Sequence, residues 1–150
     1  MNILVTVGSG CFDSLIMECD KILINYNCNV LFQIGDGKYK PINFQYNEYI
    51  DNLSQQYENF DLVITHCGAG TVYKCLDLGI RFISVPNIER KDRHQLELAK
   101  FLFLNNLSPV CFNLDELSKF ICKYPLSLYA KYKEPRFFGQ NMISSFINKY

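Results

Sequence analysis

The chain has 150 residues, of which 49% are hydrophobic and 20% charged, enough apolar side chains for one globular core and too many for a disordered tail. Its 15 Lys and Arg cancel 15 Asp and Glu, so no summed positive field attracts a polyanion, and composition argues against a nucleic-acid partner. The apolar runs are far shorter than the ~20 residues that span a bilayer, and a strand pattern begins at once, so we expect a cytoplasmic chain with neither anchor nor signal peptide.

Residues 3–7 form an apolar, β-branched run closed by Gly8-Ser9-Gly10, and Phe12, Leu15, Ile16, Cys19, Ile22 and Leu23 then recur at helical spacing over residues 12–25. This predicts a strand, a glycine turn and a helix. A second strand over 30–34 ends in Gly35-Asp36-Gly37, a short third strand is expected over 42–46, and Tyr49, Ile50, Leu53 and Tyr57 repeat with a helical period. The strand over 60–65 leads into His66-Cys67-Gly68-Ala69-Gly70-Thr71, and Val72, Cys75, Leu76 and Leu78 predict a helix that Gly79 ends as its left-handed cap. Residues 80–86 read as the next strand, Asp92 as the cap of a helix carrying Leu96, Ala99, Phe101 and Leu102 on its apolar side, residues 110–112 as a last short strand, and 115–122 as a helix.

Strands and helices alternate throughout, and the strands are nearly continuous in apolar residues. That combination predicts an α/β fold, a Rossmann-like, mainly parallel sheet with helices on both faces, over residues 1–123. Residues 124–150 form a distinct tail in which Phe138, Met142, Ile143, Phe146 and Ile147 make an amphipathic helix, suited to folding back onto the domain or to docking on a partner or a membrane surface. The seven cysteines include no Cys-x-x-Cys pair, which fits a reduced cytosol and gives no metal site, and Cys19, Cys75 and Cys122 sit in helical patterns as small core hydrophobes.

In an open parallel sheet, ligands bind beyond the carboxyl ends of the strands, so the loops after the strands carry the chemistry. Gly8-Ser9-Gly10 lets backbone amides approach a ligand and leads into a helix amino terminus that favours anions; the same residues also suit a plain tight turn. Gly68, Ala69 and Gly70 expose amides that can cradle a phosphate, with the Thr71 hydroxyl as a further donor, or else form a compact corner capped by Thr71. His66 can donate to a phosphate or orient the loop. Asp92 and Gln95, three apart at a helix start, either form a capping box or bind sugar hydroxyls. A polar, charged loop beside a phosphate cradle suits a ligand with a diphosphate and many hydroxyls, a nucleotide-sugar.

These motifs in this order, Val5-Thr6-Val7-Gly8, then Asp61-Leu62-Val63-Ile64-x-His66-x-Gly68-Ala69-Gly70-Thr71, then Val85-Pro86-Asn87 and Asp92-x-His94-Gln95-Leu96-Glu97-Leu98-Ala99, resemble the carboxy-terminal domain of family 28 glycosyltransferases over residues 2–104. The resemblance implies the C-terminal half of a GT-B enzyme, similar to the stand-alone donor-binding subunits of two-part transferases, among them the cytosolic subunit of the eukaryotic UDP-N-acetylglucosamine transferase and bacterial capsule and exopolysaccharide counterparts. It places Gly8, Ser9, Gly10, Gly68, Ala69, Gly70 and Thr71 on the donor diphosphate, and Asp92, His94 and Gln95 on the donor sugar. Residues 46–50, with Tyr46, fall where the family holds the uracil. Lys74 stands where relatives carry a glutamate that accepts from the ribose hydroxyls, and lysine can only donate.

The expected function is therefore a UDP-sugar-binding subunit, working without a metal, whose separate membrane-anchored partner binds a lipid-linked acceptor and supplies the base. No residue here is assigned as base: Asp13 reads as a helix cap and Glu89 lies in an unplaced loop. A dinucleotide-binding domain fits less well, because Asp13 occupies the third glycine position of that fingerprint and the second strand ends without an acidic residue. A scaffold that has lost donor affinity is the remaining alternative, with Lys74 in its favour.

Overall fold

The structure is a computed structural model and describes residues 1–123; the expected tail helix lies outside the described residues. Five strands, β1 (Asn2–Thr6), β2 (Asn29–Gln33), β3 (Gln45–Asn47), β4 (Leu62–Thr65) and β5 (Phe82–Ser84), form one sheet in the order β3-β2-β1-β4-β5. Every pairing is parallel. The helices are α1 (Asp13–Leu23), α2 (Leu53–Gln56), α3 (Ala69–Leu78), α4 (His94–Leu104) and α5 (Leu117–Lys123).

β1 lies centrally, and its alternation sorts the core. Ile3, Val5 and Val7 pack with Leu15, Ile16, Cys19 and Leu23 of α1 and with Leu117 and Ile121 of α5, whereas Leu4 faces the other way, onto Val72 and Cys75 of α3 and Leu98 and Leu102 of α4. Each fully buried leucine or isoleucine contributes about 1.5–3 kcal/mol. The apolar positions expected of α1 are all buried, as are Cys19 and Cys75. Cys122 is exposed, however, and its thiol meets the Tyr26 hydroxyl at 2.9 Å.

Several boundaries move because distant side chains claim the backbone. Asp20, buried to 1% exposure, accepts from the amides of Ile42 and Asn43 and from the Tyr39 hydroxyl, so residues 42–43 turn around its carboxylate and β3 starts only at Gln45. Asp13 does not cap its own helix: it is the first residue of α1 and accepts from the amides of Lys38 and Tyr39. Residues 49–50 are not helical, because the Ile50 amide donates to Gln33, and the helix shrinks to α2 and a 3-10 turn over Tyr57–Asn59. Gly79 does end α3, at φ 64°, and the Ile80 amide closes that cap on the Cys75 carbonyl, which delays β5 to Phe82. Residues 110–112 contribute a single parallel bridge, Val110 to Ser84, and not a strand.

The chain runs from β1 outward to β3, then crosses back to β4 on the far side of β1, so the order reverses between β1 and β4 and opens a crevice there. Three glycine loops close on that point. A Cβ on Gly35, at φ 55°, would stand 2.1 Å from the Gly10 carbonyl oxygen and 2.9 Å from that of Gly8. We predict that Gly35→Ala lowers stability by about 3 kcal/mol or more, from positive φ and the backbone clash together, measured by denaturant unfolding.

Candidate functional site

One transverse row of the sheet is polar and buried. Gln33 pairs in register with Thr6, Thr6 with Thr65, and Thr65 with Ser84, and the four are between 0% and 7% exposed. Strand alternation puts them on the side of Leu4 and Val63, at the carboxyl edge, where each anchors the loop after it. The Gln33 amide donates to Thr6 Oγ1 at 3.3 Å and to the Gly8 carbonyl at 3.1 Å, while its oxygen accepts from the Ile50 amide at 3.0 Å. Thr6 Oγ1 also accepts from the Gly8 amide. A single buried glutamine thus joins the first glycine loop to residues 46–50. Motif spacing alone gives Gln33 no role at the site, although a polar residue at an inward strand position is a readable signal.

The second loop is built around His66. Its ring lies between Gly8 and Gly68: a Cβ on Gly8 would meet Cε1 at 3.1 Å, and one on Gly68 would meet Cε1 and Nε2 at 2.5 Å. Burial lowers its pKa, a hydrogen bond with the Thr6 backbone opposes that and the Arg90 charge adds to it, with a net value of about 4. The imidazole is therefore neutral at pH 7. Cys67 takes φ 62°, a left-handed conformation that costs a β-carbon residue about 1–2 kcal/mol. Its buried thiol, pushed up to about 12, is inert and lies beside the Ser84 hydroxyl, which has no other partner among the described residues.

Gly68, in extended conformation, is the N-cap of α3 and offers no side chain to it, so the amides of Ala69, Gly70 and Thr71 have no intrahelical acceptor. Thr71, whose alternative reading was a cap, lies inside the helix, and its hydroxyl accepts from the Tyr57 hydroxyl at 3.5 Å. Ala69 and Gly70 are exposed, and a Cβ on Gly70 would touch nothing within 4 Å. α1 likewise has Phe12 at its N-cap and no side-chain cap. Two uncapped helix amino termini thus follow the two strands that flank the crevice, and each favours an anion. Gly8, Ser9 and Gly10 lead into one and Gly68, Ala69, Gly70 and Thr71 form the start of the other.

The third loop folds over the start of α1. The Asn87 side chain, 5% exposed, donates to the Cys11 carbonyl at 3.0 Å and accepts from the Glu89 amide, and Glu89 in turn accepts from the Ser14 hydroxyl. The anticipated capping box is absent. The N-cap of α4 is Arg93 with no side-chain bond; Gln95 instead accepts from the Asn87 amide at 3.0 Å, and Asp92 pairs with Arg90 at 2.7 Å. The Arg90 hydrogen bond holds the Asp92 carboxyl below its usual value. His94 is 74% exposed, 3.8 Å from Glu97. Gln95 is thus engaged through its oxygen, Asp92 is committed to Arg90, and His94 faces solvent. Asn87 and Arg90 are contributors that sequence spacing did not reveal.

Tyr46 sits half-exposed on the edge strand with the Lys40 ammonium 5.6 Å over its ring. The carbonyls of Asn47 and Glu48 accept from the Ile34 and Gly35 amides, which fixes this segment beside the first glycine loop. Lys74 is half-buried one turn after Gly70, on the same side of α3.

His66 gives a pH dependence with a definite sign. Its folded pKa, about 4, lies below the usual 6.5, so the unfolded chain binds the proton more readily and stability falls as pH drops from 6.5 towards 4, by up to about 3 kcal/mol, and is fully present above 6.5. Unfolding free energies between pH 7 and 5 should show this slope, and His66→Gln should flatten it.

A model of the glycosyltransferase family 28 C-terminal domain matches residues 2–127. The chain is 36% identical over 114 residues to the human UDP-N-acetylglucosamine transferase subunit ALG13, a match covering 67% of this chain and 10% of that protein. It is 32% identical over 108 residues to the N-acetylmuramyl-(pentapeptide) pyrophosphoryl-undecaprenol N-acetylglucosamine transferase of Rickettsia bellii, covering 63% of this chain and 30% of the relative. These matches thus span between a tenth and about a third of the relatives' own length. In structure it superposes on Acinetobacter baumannii MurG with a TM-score of 0.71 at 20% identity, over all of this chain and 50% of the other, and on the solution structure of ALG13 with 0.60 at 15% identity, over 89% of each. The fold is the Rossmann-like half of a GT-B glycosyltransferase, and the chain belongs to the glycosyltransferase family 28 C-terminal domain family.

Proposed function

We propose that this chain is the donor-binding part of a glycosyltransferase, holding a UDP-sugar across the carboxyl edge of its sheet. The observation that carries the proposal is Gly70. Its backbone is helical and a Cβ there would meet nothing within 4 Å beyond its own turn of helix, so packing does not require glycine in the first turn of α3. A diphosphate lying on the amides of residues 69–71 does require it. In this reading the first glycine loop bears on the same diphosphate, residues 46–50 receive the uracil, and the NH2 of Gln95 reads a sugar hydroxyl.

Sugar transfer breaks the bond between the anomeric carbon and the diphosphate oxygen, and negative charge grows on the departing group. Preorganised amides at two helix starts stabilise that charge, so the proposed chemistry needs no metal. The carboxylates near the loops are already engaged, Asp13 by the Lys38 and Tyr39 amides and Glu89 by Ser14. We therefore assign the base and the acceptor site to a separate partner chain, membrane-anchored and carrying a lipid-linked acceptor at the cytoplasmic face. No helix among the described residues is long and apolar enough to cross a membrane. Both relatives are N-acetylglucosamine transferases, which supports an N-acetylglucosamine donor over other sugars. A scaffold without donor affinity is the second reading, favoured by Lys74 alone.

Gly70→Ala separates the two. Helix propensity should raise stability by about 0.5–1 kcal/mol, while affinity for UDP falls at least tenfold, measured by thermal melts and calorimetric titration of the same preparation. Higher stability with unchanged UDP affinity would remove the diphosphate from α3.

A further inference from the structure

We infer that Arg90 is a cationic ligand of the donor diphosphate, an inference that rests on the donor-binding reading above. Its Nη1 lies 3.6 Å from where a Cβ on Gly10 would stand, so the guanidinium lies against the first glycine loop, just ahead of α1. Its charge also reaches His66, the side chain wedged between Gly8 and Gly68. The guanidinium thus lies against the first glycine loop and within electrostatic reach of the histidine that the second is built around.

Its orientation is set by the protein. Nε and Nη2 both hold Asp92 Oδ2, at 2.8 and 2.7 Å, which turns the remaining Nη1 towards Gly10. The backbone beneath is fixed as well, because Asn87 ties this loop to the Cys11 carbonyl and Glu89 holds Ser14 in the first turn of α1. The side chain remains 47% exposed, so an incoming anion can reach it. A planar guanidinium with a donor edge free is suited to phosphate oxygens. Helix amino termini supply only about half a charge each, and a diphosphate carries more than they offset. Lys91 and Arg93 flank the same loop, but no contact places either of them on a glycine loop.

As a structural feature the Arg90–Asp92 pair is half-exposed and contributes little to stability. That separates a ligand role from a folding role. UDP and uridine would be titrated into the wild-type chain, Arg90→Ala and Arg90→Lys, at low and at high salt. Arg90→Ala should keep the wild-type melting temperature, lose at least tenfold in UDP affinity, change uridine affinity less than twofold, and show a weaker salt dependence for UDP. Arg90→Lys should recover part of the loss. Equal UDP affinity in wild type and Arg90→Ala would overturn the assignment of Arg90 and leave the donor site standing. Absence of UDP binding by the wild-type chain would overturn the donor reading itself, and the inference with it.

Discussion

The whole carboxyl edge depends on how closely three loops approach one another at the point where the strand order reverses. His66 occupies the space between Gly8 and Gly68, and Gly35 lies against the carbonyls of Gly8 and Gly10, where there is no room for a side chain. Backbone therefore packs on backbone. The Gly8 and Gly10 carbonyls are engaged by Gln33 and by the Asp36 amide, and no side chain caps the amides that open α1 and α3. The anion binding we propose for this site would follow from that packing before any charged side chain is considered.

A buried polar row keeps the loops in place. Gln33, Thr6, Thr65 and Ser84 replace apolar residues at the last register position of four strands, and desolvation makes each of them costly unless bonded. Gln33 and Thr6 are well satisfied, whereas Ser84 has only the neighbouring thiol and Cys67 takes a left-handed backbone. Such local departures from ideal structure gather where function constrains a fold more than stability does. The apolar halves of the same strands, packed on both faces, supply the stability that lets this edge persist.

What could be read from the sequence was local. β1 and β4 are covered on both faces and so read as continuous apolar runs, α1 shows its period through Leu15, Ile16, Cys19 and Leu23, and Gly79 marks the end of α3. The glycine loops were legible for the same reason, since glycine at a strand-to-helix corner is a local signal. Contacts between distant residues were not legible. Asp20 reaching residues 42–43, Asp13 reaching residues 38–39 and Gln33 reaching Ile50 each redraw an element that periodicity had placed elsewhere. The loop before α4 shows the same competition: Asp92 and Gln95 have capping-box spacing, yet Arg90 and Asn87 capture them first.

Donor binding as proposed requires the amides at the two uncapped helix starts to hold a nucleoside diphosphate. The most direct measurement is a titration of the 15N-labelled chain with UDP-N-acetylglucosamine at millimolar concentration, following every backbone amide. The account predicts saturable shifts concentrated at Gly8, Ser9, Gly10 and at Gly68, Ala69, Gly70 and Thr71, with smaller ones at residues 46–50. Shifts elsewhere with these amides unmoved, or no shift at all, would contradict it.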